Sequence, residues 1–436
     1  MSRLACGVIN SSYDQGIVSS INTLGNRRVP EITHIDVGAG LDPEVISGDP
    51  RVLGYKHGSD NCVMISAYTY DKKKPGTPGT ARVALFKINA TTGAWEQLIQ
   101  KTHATWGFSN PYGLVVVDEE NKMYVQDYDS GKITAVDLTT YNTSTLYTMG
   151  SVSSGGTTYL PHGNGIDYSD YGLIAIFSFL ESGSYTNYTN SKLAVAPVDG
   201  STASVVSGLN KNVVSVAVEG DFAYISSIGG AQQGGGNPAS KIESVDLTTP
   251  VLGTTPVTIS ALPTTPSGEQ KGDFVDVAFR GGAAYVLRAN YDTNYTSYSY
   301  RLIKTTGTSL RAGSFGTYTT IADTATPADA TWLLAPAVDT LWFVSGSAAN
   351  IIQLISGGLG TGSVVKKADA SLSTASSYGL GTTVSGAAIN AHLNTASVVI
   401  DVADVAAKEA VGIAAVSATR TKVAFRFVRP EELEKK

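Results

Sequence analysis

An all-β fold built from repeated four-stranded sheets is predicted by three observations. Short apolar segments of similar composition recur along the chain at a near-constant step. Amphipathic helices are almost absent. The composition is apolar and unusually neutral: of 436 residues, 42% are hydrophobic and only 16% charged, with 46 glycines available for turns, against roughly 25% charged in an ordinary soluble domain.

The recurring segments are Cys62–Ser66, Met123–Asp127, Leu173–Phe177, Ala223–Ser227, Ala284–Arg288 and Leu341–Ser345. Taking Met64, Tyr124, Ile174, Tyr224, Tyr285 and Trp342 as markers, the steps are 60, 50, 50, 61 and 57 residues. A step of about 40–50 residues with four strands per repeat is the pattern of a β-propeller, and the excess length predicts extended loops. One such loop is the insertion at Asp71 to Thr80, with Lys72-Lys73-Lys74-Pro75-Gly76.

The clearest repeat runs from Tyr112 to Met149. Gly113–Val117 is apolar throughout and reads as a buried first strand. Asp118–Asn121 supplies a polar turn and Met123–Gln126 a second strand. Asp127–Lys132 is a turn rich in Asp and Gly, Ile133–Leu138 alternates as a third strand should, and Thr145–Met149 is the fourth. Similar units begin near Val52, Gly165, Val213, Phe274 and Thr331. The one helix candidate, Val402 to Val411, is short enough to read equally as strand and loop.

The unit Asn110-Pro111-Tyr112-Gly113-Leu114, then Met123-Tyr124-Val125, then Gly131 to Thr139, resembles the repeat of YVTN-type bacterial β-propellers. Lys241-Ile242-Glu243-Ser244-Val245-Asp246-Leu247-Thr248-Thr249 echoes its third strand and tail. The resemblance covers most of residues 43 to 367 as a pattern and implies an architecture rather than an activity.

Closure of the ring is expected from the two ends of the chain. Leu4–Ile9, Gly16–Ile21 and Glu31–Val37 fit a unit lacking its first strand, and a strand from the C-terminus would remove the open edge. The C-terminal candidates are Val384–Ile389, Ser397–Val402, Val411–Val416 and Val423–Val428. Seven blades follow if the first of these completes the N-terminal unit, eight if only the last does. Seven is the expected number. The propeller is then residues 1–395, with 1–38 completing the last blade, and residues 396–436 are further strands, either part of the closure or an appendage.

The net charge of −6 argues against nucleic acid, whose binders carry a basic footprint. No apolar run reaches the roughly 18 residues of a membrane span. Cys6 and Cys62 are too few for a disulfide scaffold, and spacing leaves open whether they pair. Sparse lysine with abundant Thr, Ser, Gly, Asn and 22 tyrosines is common on exported bacterial surface proteins. An extracytoplasmic location is expected, with any leader absent from this numbering.

Catalytic signatures are missing: there is no Gly-x-Ser-x-Gly elbow, phosphate loop or His-Glu-x-x-His, and only five histidines. Pro161-His162-Gly163-Asn164-Gly165 precedes a first strand and belongs at the channel rim, where glycine lets backbone approach a ligand. Trp106, Asn110 and Tyr112 stand one unit earlier; Asp276 and Trp332 stand in later units. With His162 and Asn164 they make a rim suited to a small molecule, glycan or peptide, or else they merely shape loops and cap the core. Tyr185, Tyr188, Tyr291, Tyr295 and Tyr298 lie in loops whose Tyr/Asn/Ser chemistry suits an interaction surface. Asp127-Tyr128-Asp129-Ser130-Gly131 has the spacing of oxygen ligands for a hard cation, but such turns are ordinary between strands, so no metal and no cofactor is expected. The leading expectation is a non-catalytic exported or cell-surface module that binds a protein, a glycan or a second copy of itself. The alternatives are a channel-sited enzyme such as a metal-dependent lactonase or hydrolase, and a periplasmic envelope scaffold.

Overall fold

A run such as Leu173–Phe177, apolar at every position, needs cover on both faces, and the computed structural model of the chain supplies it with a succession of small antiparallel sheets. The structure describes residues 3–9, 16–22, 31–34, 49–68, 82–88, 95–184, 186–230, 239–259, 271–280, 282–291, 297–327, 331–336, 340–347, 351–358, 364–371 and 392–400.

Seven sheets form among the described residues. Strands β1 (Arg3–Ile9), β2 (Gly16–Asn22) and β3 (Glu31–His34) belong to the first, and β4 (Asp49–His57), β5 (Asp60–Tyr68), β6 (Arg82–Ile88) and β7 (Trp95–Thr102) make the second. A helical turn, α1 (His103–Trp106), follows. The third sheet is β8 (Pro111–Val117), β9 (Lys122–Asp127), β10 (Lys132–Asp137) and β11 (Thr143–Thr148). The fourth is β12 (Val152–Ser154), β13 (Thr157–Ser169), β14 (Gly172–Glu181), β15 (Tyr188–Ala196) and β16 (Ser204–Lys211). The fifth is β17 (Val213–Glu219), β18 (Phe222–Ser227), β19 (Lys241–Asp246) and the short β20 (Val251–Leu252) and β21 (Val257–Thr258). The sixth is β22 (Lys271–Arg280), β23 (Ala283–Tyr291), β24 (Ser297–Thr305) and, after the turn α2 (Gly307–Arg311), β25 (Thr319–Pro327). The seventh is β26 (Thr331–Pro336), β27 (Thr340–Ser347), β28 (Ile351–Gly358) and β29 (Val364–Ser371), and β30 (His392–Ile400) returns to the first sheet. Five of the six marker segments lie on the second strands of their sheets and the sixth lies on β14, which follows the long β13 in the five-stranded fourth sheet; the chain has the β-propeller fold.

The chain divides into two compact units. One is residues 1–107 with 329–436, the other residues 108–328. In the first, β30 pairs antiparallel with β1, Cys6 opposite Ala396, so a C-terminal strand does complete the N-terminal sheet in the order β3-β2-β1-β30. That strand is His392–Ile400, which straddles the break expected at 395/396. Val384–Ile389, Val411–Val416, Val423–Val428 and the helix candidate at Val402–Val411 lie outside the described residues. Cys62 is a buried thiol outside any disulfide.

In the second unit the first strands β8, β13, β17 and β22 lie side by side in that order. In the third sheet burial falls off toward the outer edge: β9 is buried along almost its whole length, while the Thr/Ser/Tyr strand β11 is half-buried to exposed. This gradient explains the low charge, since inner strands have no solvated face to carry it. Between the fifth and sixth sheets, Tyr224, Ile242, Phe274, Val277, Val286 and Ile303 form one buried cluster, with the Tyr224 and Phe279 rings 4.5 Å apart.

The repeated Asp-Leu-Thr-Thr tail has a local cause. Asp137 Oδ1 accepts from the backbone N–H groups of Thr139 and Thr140 at 2.9 and 2.7 Å, and Asp246 Oδ1 accepts from Thr248 N and Oγ1 at 2.9 and 2.7 Å. Each carboxylate replaces a turn's backbone acceptor, and these bonds hold both below the usual carboxylate range. Leu138 and Leu247 then turn inward to buried positions.

Candidate functional site

One feature recurs in every sheet of the second unit. The first strand carries a single-residue bulge opposite the end of the second strand, at Tyr112, Asn164, Val214 and Val275. Bulges re-aim side chains and mark the edges of sites. Two residues before each bulge stand Asn110, His162, Asn212 and Asp273, so register places four polar residues at one level of four adjacent strands.

His162 is the member with chemistry to offer. Its side chain is 15% exposed and Nδ1 lies 3.9 Å from Asp129 Oδ1. That is too long for a hydrogen bond, but it sets a carboxylate behind the ring. Burial holds the His162 pKa below its ordinary 6.5, so the imidazole is neutral at physiological pH. Nδ1 is fully covered and makes no hydrogen bond, which leaves the Nε2 edge to carry the exposure. The Tyr128 ring lies 4.7 Å from His162 and 5.4 Å from Tyr112. Burial and the neighbouring Tyr112 hydroxyl raise the Tyr188 pKa, and Tyr188 opens β15 rather than lying on a free loop.

The turn after β9 fixes this arrangement. Asp127 Oδ2 accepts from Ser109 N at 2.6 Å and Asn110 N at 2.9 Å, and Oδ1 accepts from Ser130 N at 3.0 Å and Ser130 Oγ at 2.8 Å. Tyr128 N donates to Asn110 O at 2.7 Å, and Gly163 N donates to Tyr128 O at 3.1 Å. Both Asp127 oxygens therefore serve the turn, and the Asp127–Gly131 loop does not fit a cation. Among the described residues no three His, Cys, Asp or Glu side chains gather as metal ligands.

The other expected site residues divide by place. Asn164 Nδ2 donates to Ser178 Oγ at 2.6 Å and to Val213 O at 2.5 Å, tying the fourth sheet to the fifth. Asp276 Oδ1 accepts from Ser215 Oγ at 2.6 Å and Val277 N at 3.1 Å, tying the fifth sheet to the sixth. Asn110 is buried, with its backbone in the turn network. Trp106 is buried at the end of α1, in the other unit. Trp332 lies on β26 and Tyr291 and Tyr298 on β23 and β24, with side chains outside the described residues; Tyr185 and Tyr295 lie outside them altogether. Sequence reasoning missed Tyr128 and Asp129 as neighbours of His162, weighing their segment as a cation loop and setting it aside as an ordinary turn. Antiparallel pairing of a first strand's start with a second strand's end was the signal that puts them beside residue 110; their approach to His162 is between sheets.

No family model and no curated protein sequence matches the chain. Among solved structures it resembles a protein assigned as a 6-phosphogluconolactonase from Bacteroides uniformis, at 12% identity over 85% of this chain and 97% of that one, with a TM-score of 0.52. It also resembles the periplasmic gluconolactonase of Pseudomonas aeruginosa, at 11% identity over 85% and 96%, with a TM-score of 0.52. At these identities the likeness establishes a shared fold. The expectation of a non-catalytic binding module is corrected here: the two propellers just named carry the names of lactonases, which fits the channel-sited enzyme alternative better than the binding module. The residues beside that reading are the half-buried His162 ring and the Asp129 carboxylate 3.9 Å from its Nδ1. No helix among the described residues is long and apolar enough to cross a membrane.

Proposed function

We propose that the protein is a hydrolase that opens lactones, with His162 as general base and Tyr112, Tyr128 and Tyr188 lining the substrate's seat. The observation that carries this reading is the neutral, partly covered His162 ring with Asp129 at its Nδ1 edge. The likeness to a lactonase propeller supports it.

In the proposed reaction Nε2 removes a proton from water as the water oxygen bonds to the lactone carbonyl carbon. The ring C–O bond then breaks. The proton passes to the departing ring oxygen, and a hydroxy acid leaves, losing its carboxyl proton to solvent, with the imidazole neutral again. A base of this kind contributes about 10²–10⁴-fold when its pKa lies near the working pH. Asp129, 3.9 Å from Nδ1, is the carboxylate nearest the charge that forms on the ring in between. The tyrosine rings offer flat apolar faces and hydroxyl donors to a ring-shaped polar substrate. We infer an extracytoplasmic location, supported by the composition and by the likeness to a periplasmic gluconolactonase.

The test is pH-stat hydrolysis of glucono-δ-lactone and of its 6-phosphate near pH ~6, where spontaneous opening is slow, comparing the protein with His162→Gln. The reading expects saturable turnover of at least one lactone, lowered about 100-fold or more in the variant. Turnover indistinguishable from the buffer blank, or equal in the two proteins, overturns it.

A further inference from the structure

Gln126 is fully buried, and both ends of its amide are committed to the next sheet. Nε2 donates to Ile176 O at 2.9 Å, and Oε1 accepts from Gly165 N at 2.8 Å. Both bonds fall on the Gly165–Ile176 pair, immediately after the bulge at Asn164. Gly163, between that bulge and His162, approaches so closely that a Cβ there would meet Gln126 Cγ at 2.7 Å. Gln126 also lies on β9 two residues before Tyr128, whose carbonyl accepts from Gly163 N. One side chain thus spans the strand that carries Tyr128 and the strand that carries His162.

The repeat shows that the scaffold does not require glutamine at this position. Gln126 pairs with Gly113, the residue after the bulge. In the next three sheets the corresponding pairs are Gly165 with Ile176, Ser215 with Ser226, and Asp276 with Leu287. A branched apolar residue or a serine serves there, and the polar amide occurs in the sheet that faces His162.

We propose that Gln126 is a positioning residue that sets the place of the His162 ring against Tyr128 and Asp129 by clamping the bulge behind it. The proposal rests on the catalytic reading of His162 for its purpose, but not for its test. Displacing a reacting group by about 1 Å costs roughly 100-fold in rate.

The test uses Gln126→Met, which keeps length without polar atoms, and Gln126→Leu, which installs the residue that the sixth sheet carries. Ser215→Ala is the control, because it removes an inter-sheet bond elsewhere in the same unit. The ring Cε1–H signals of the five histidines are titrated by NMR in full-length protein, with His162→Gln giving the assignment. Loosening the clamp admits water to the ring, so the His162 pKa should rise toward 6.5 in either Gln126 variant and stay fixed in Ser215→Ala. Lactone turnover should fall in kcat more than KM rises. A His162 titration unchanged in both Gln126 variants, or moved equally by Ser215→Ala, overturns the proposal. If wild-type protein opens no lactone while the titration still moves, the lactonase reading fails and the positioning role stands.

Discussion

Gly163→Ala probes the tightest approach in the candidate site. A methyl group there would sit 2.6 Å from Asp127 O, 2.7 Å from Gln126 Cγ and 2.8 Å from Gln126 Cδ, about 0.8 Å inside ordinary contact at the carbonyl. Neither neighbour yields freely, since the carbonyl belongs to paired backbone and Gln126 is bonded at both amide atoms. Overpacking of this kind costs about 1–3 kcal/mol. Displacing Gln126 adds about 1 kcal/mol for each bond lost, and the smaller entropy of the unfolded alanine chain returns about 0.4–1 kcal/mol. The net loss is about 2–4 kcal/mol. It is read as a lowered urea midpoint by tryptophan fluorescence and far-UV circular dichroism, with Gly150→Ala as the control, because nothing lies within 4 Å of a Cβ at Gly150. A change within about 0.5 kcal/mol, the range of an ordinary surface substitution, would refute the packing of β13 against the third sheet.

Further outcomes follow from the same structure. Asp127→Ala strips the acceptor from three backbone N–H groups and one hydroxyl, for a loss of about 3 kcal/mol in the same denaturation assay, along with lactone turnover as Tyr128 is released. His162 is held neutral by the fold, so its contribution to stability is complete above 6.5 and is lost as pH falls through its lowered folded value; His162→Gln should flatten that part of the acid stability curve. Burial pushes Tyr124 and Tyr224 up to about 12 from 10.0. Their contribution is present below 10 and is lost as pH rises toward 12, so alkaline unfolding followed by tyrosinate absorbance should steepen in that interval and move higher in Tyr124→Phe.

The sequence carried the architecture well because, in the second unit, the strands that carry the markers are almost wholly buried. Tyr124, Ile174, Tyr224 and Tyr285 are all at most 1% exposed, so solvent exclusion leaves an apolar pentad at each repeat that can be read without coordinates. The closing strand was harder to place: His392-Leu393-Asn394-Thr395-Ala396 is polar enough at its start to pass for a loop, and only its pairing with β1 defines it. Within the site, the starts of the first strands drew attention to His162, Asn110 and Tyr112. Asn164 and Asp276 have the same polar signature as ligand-binding groups, yet their hydrogen bonds join neighbouring sheets. That role depends on contacts 49 and 61 residues away in the chain, which residue type alone does not reveal. Gln126 shows the opposite failure: inside an apolar strand it looks incidental until both of its bonds across the sheet boundary are seen.

The pH dependence of kcat/KM for lactone opening tests the central claim most directly. A neutral His162 acting as base predicts a single ionisation on the acid side, below 6.5, with activity rising to a plateau as pH increases and the limb absent from the residual activity of His162→Gln. A profile flat through that range, or an acid limb that survives in His162→Gln, would contradict it.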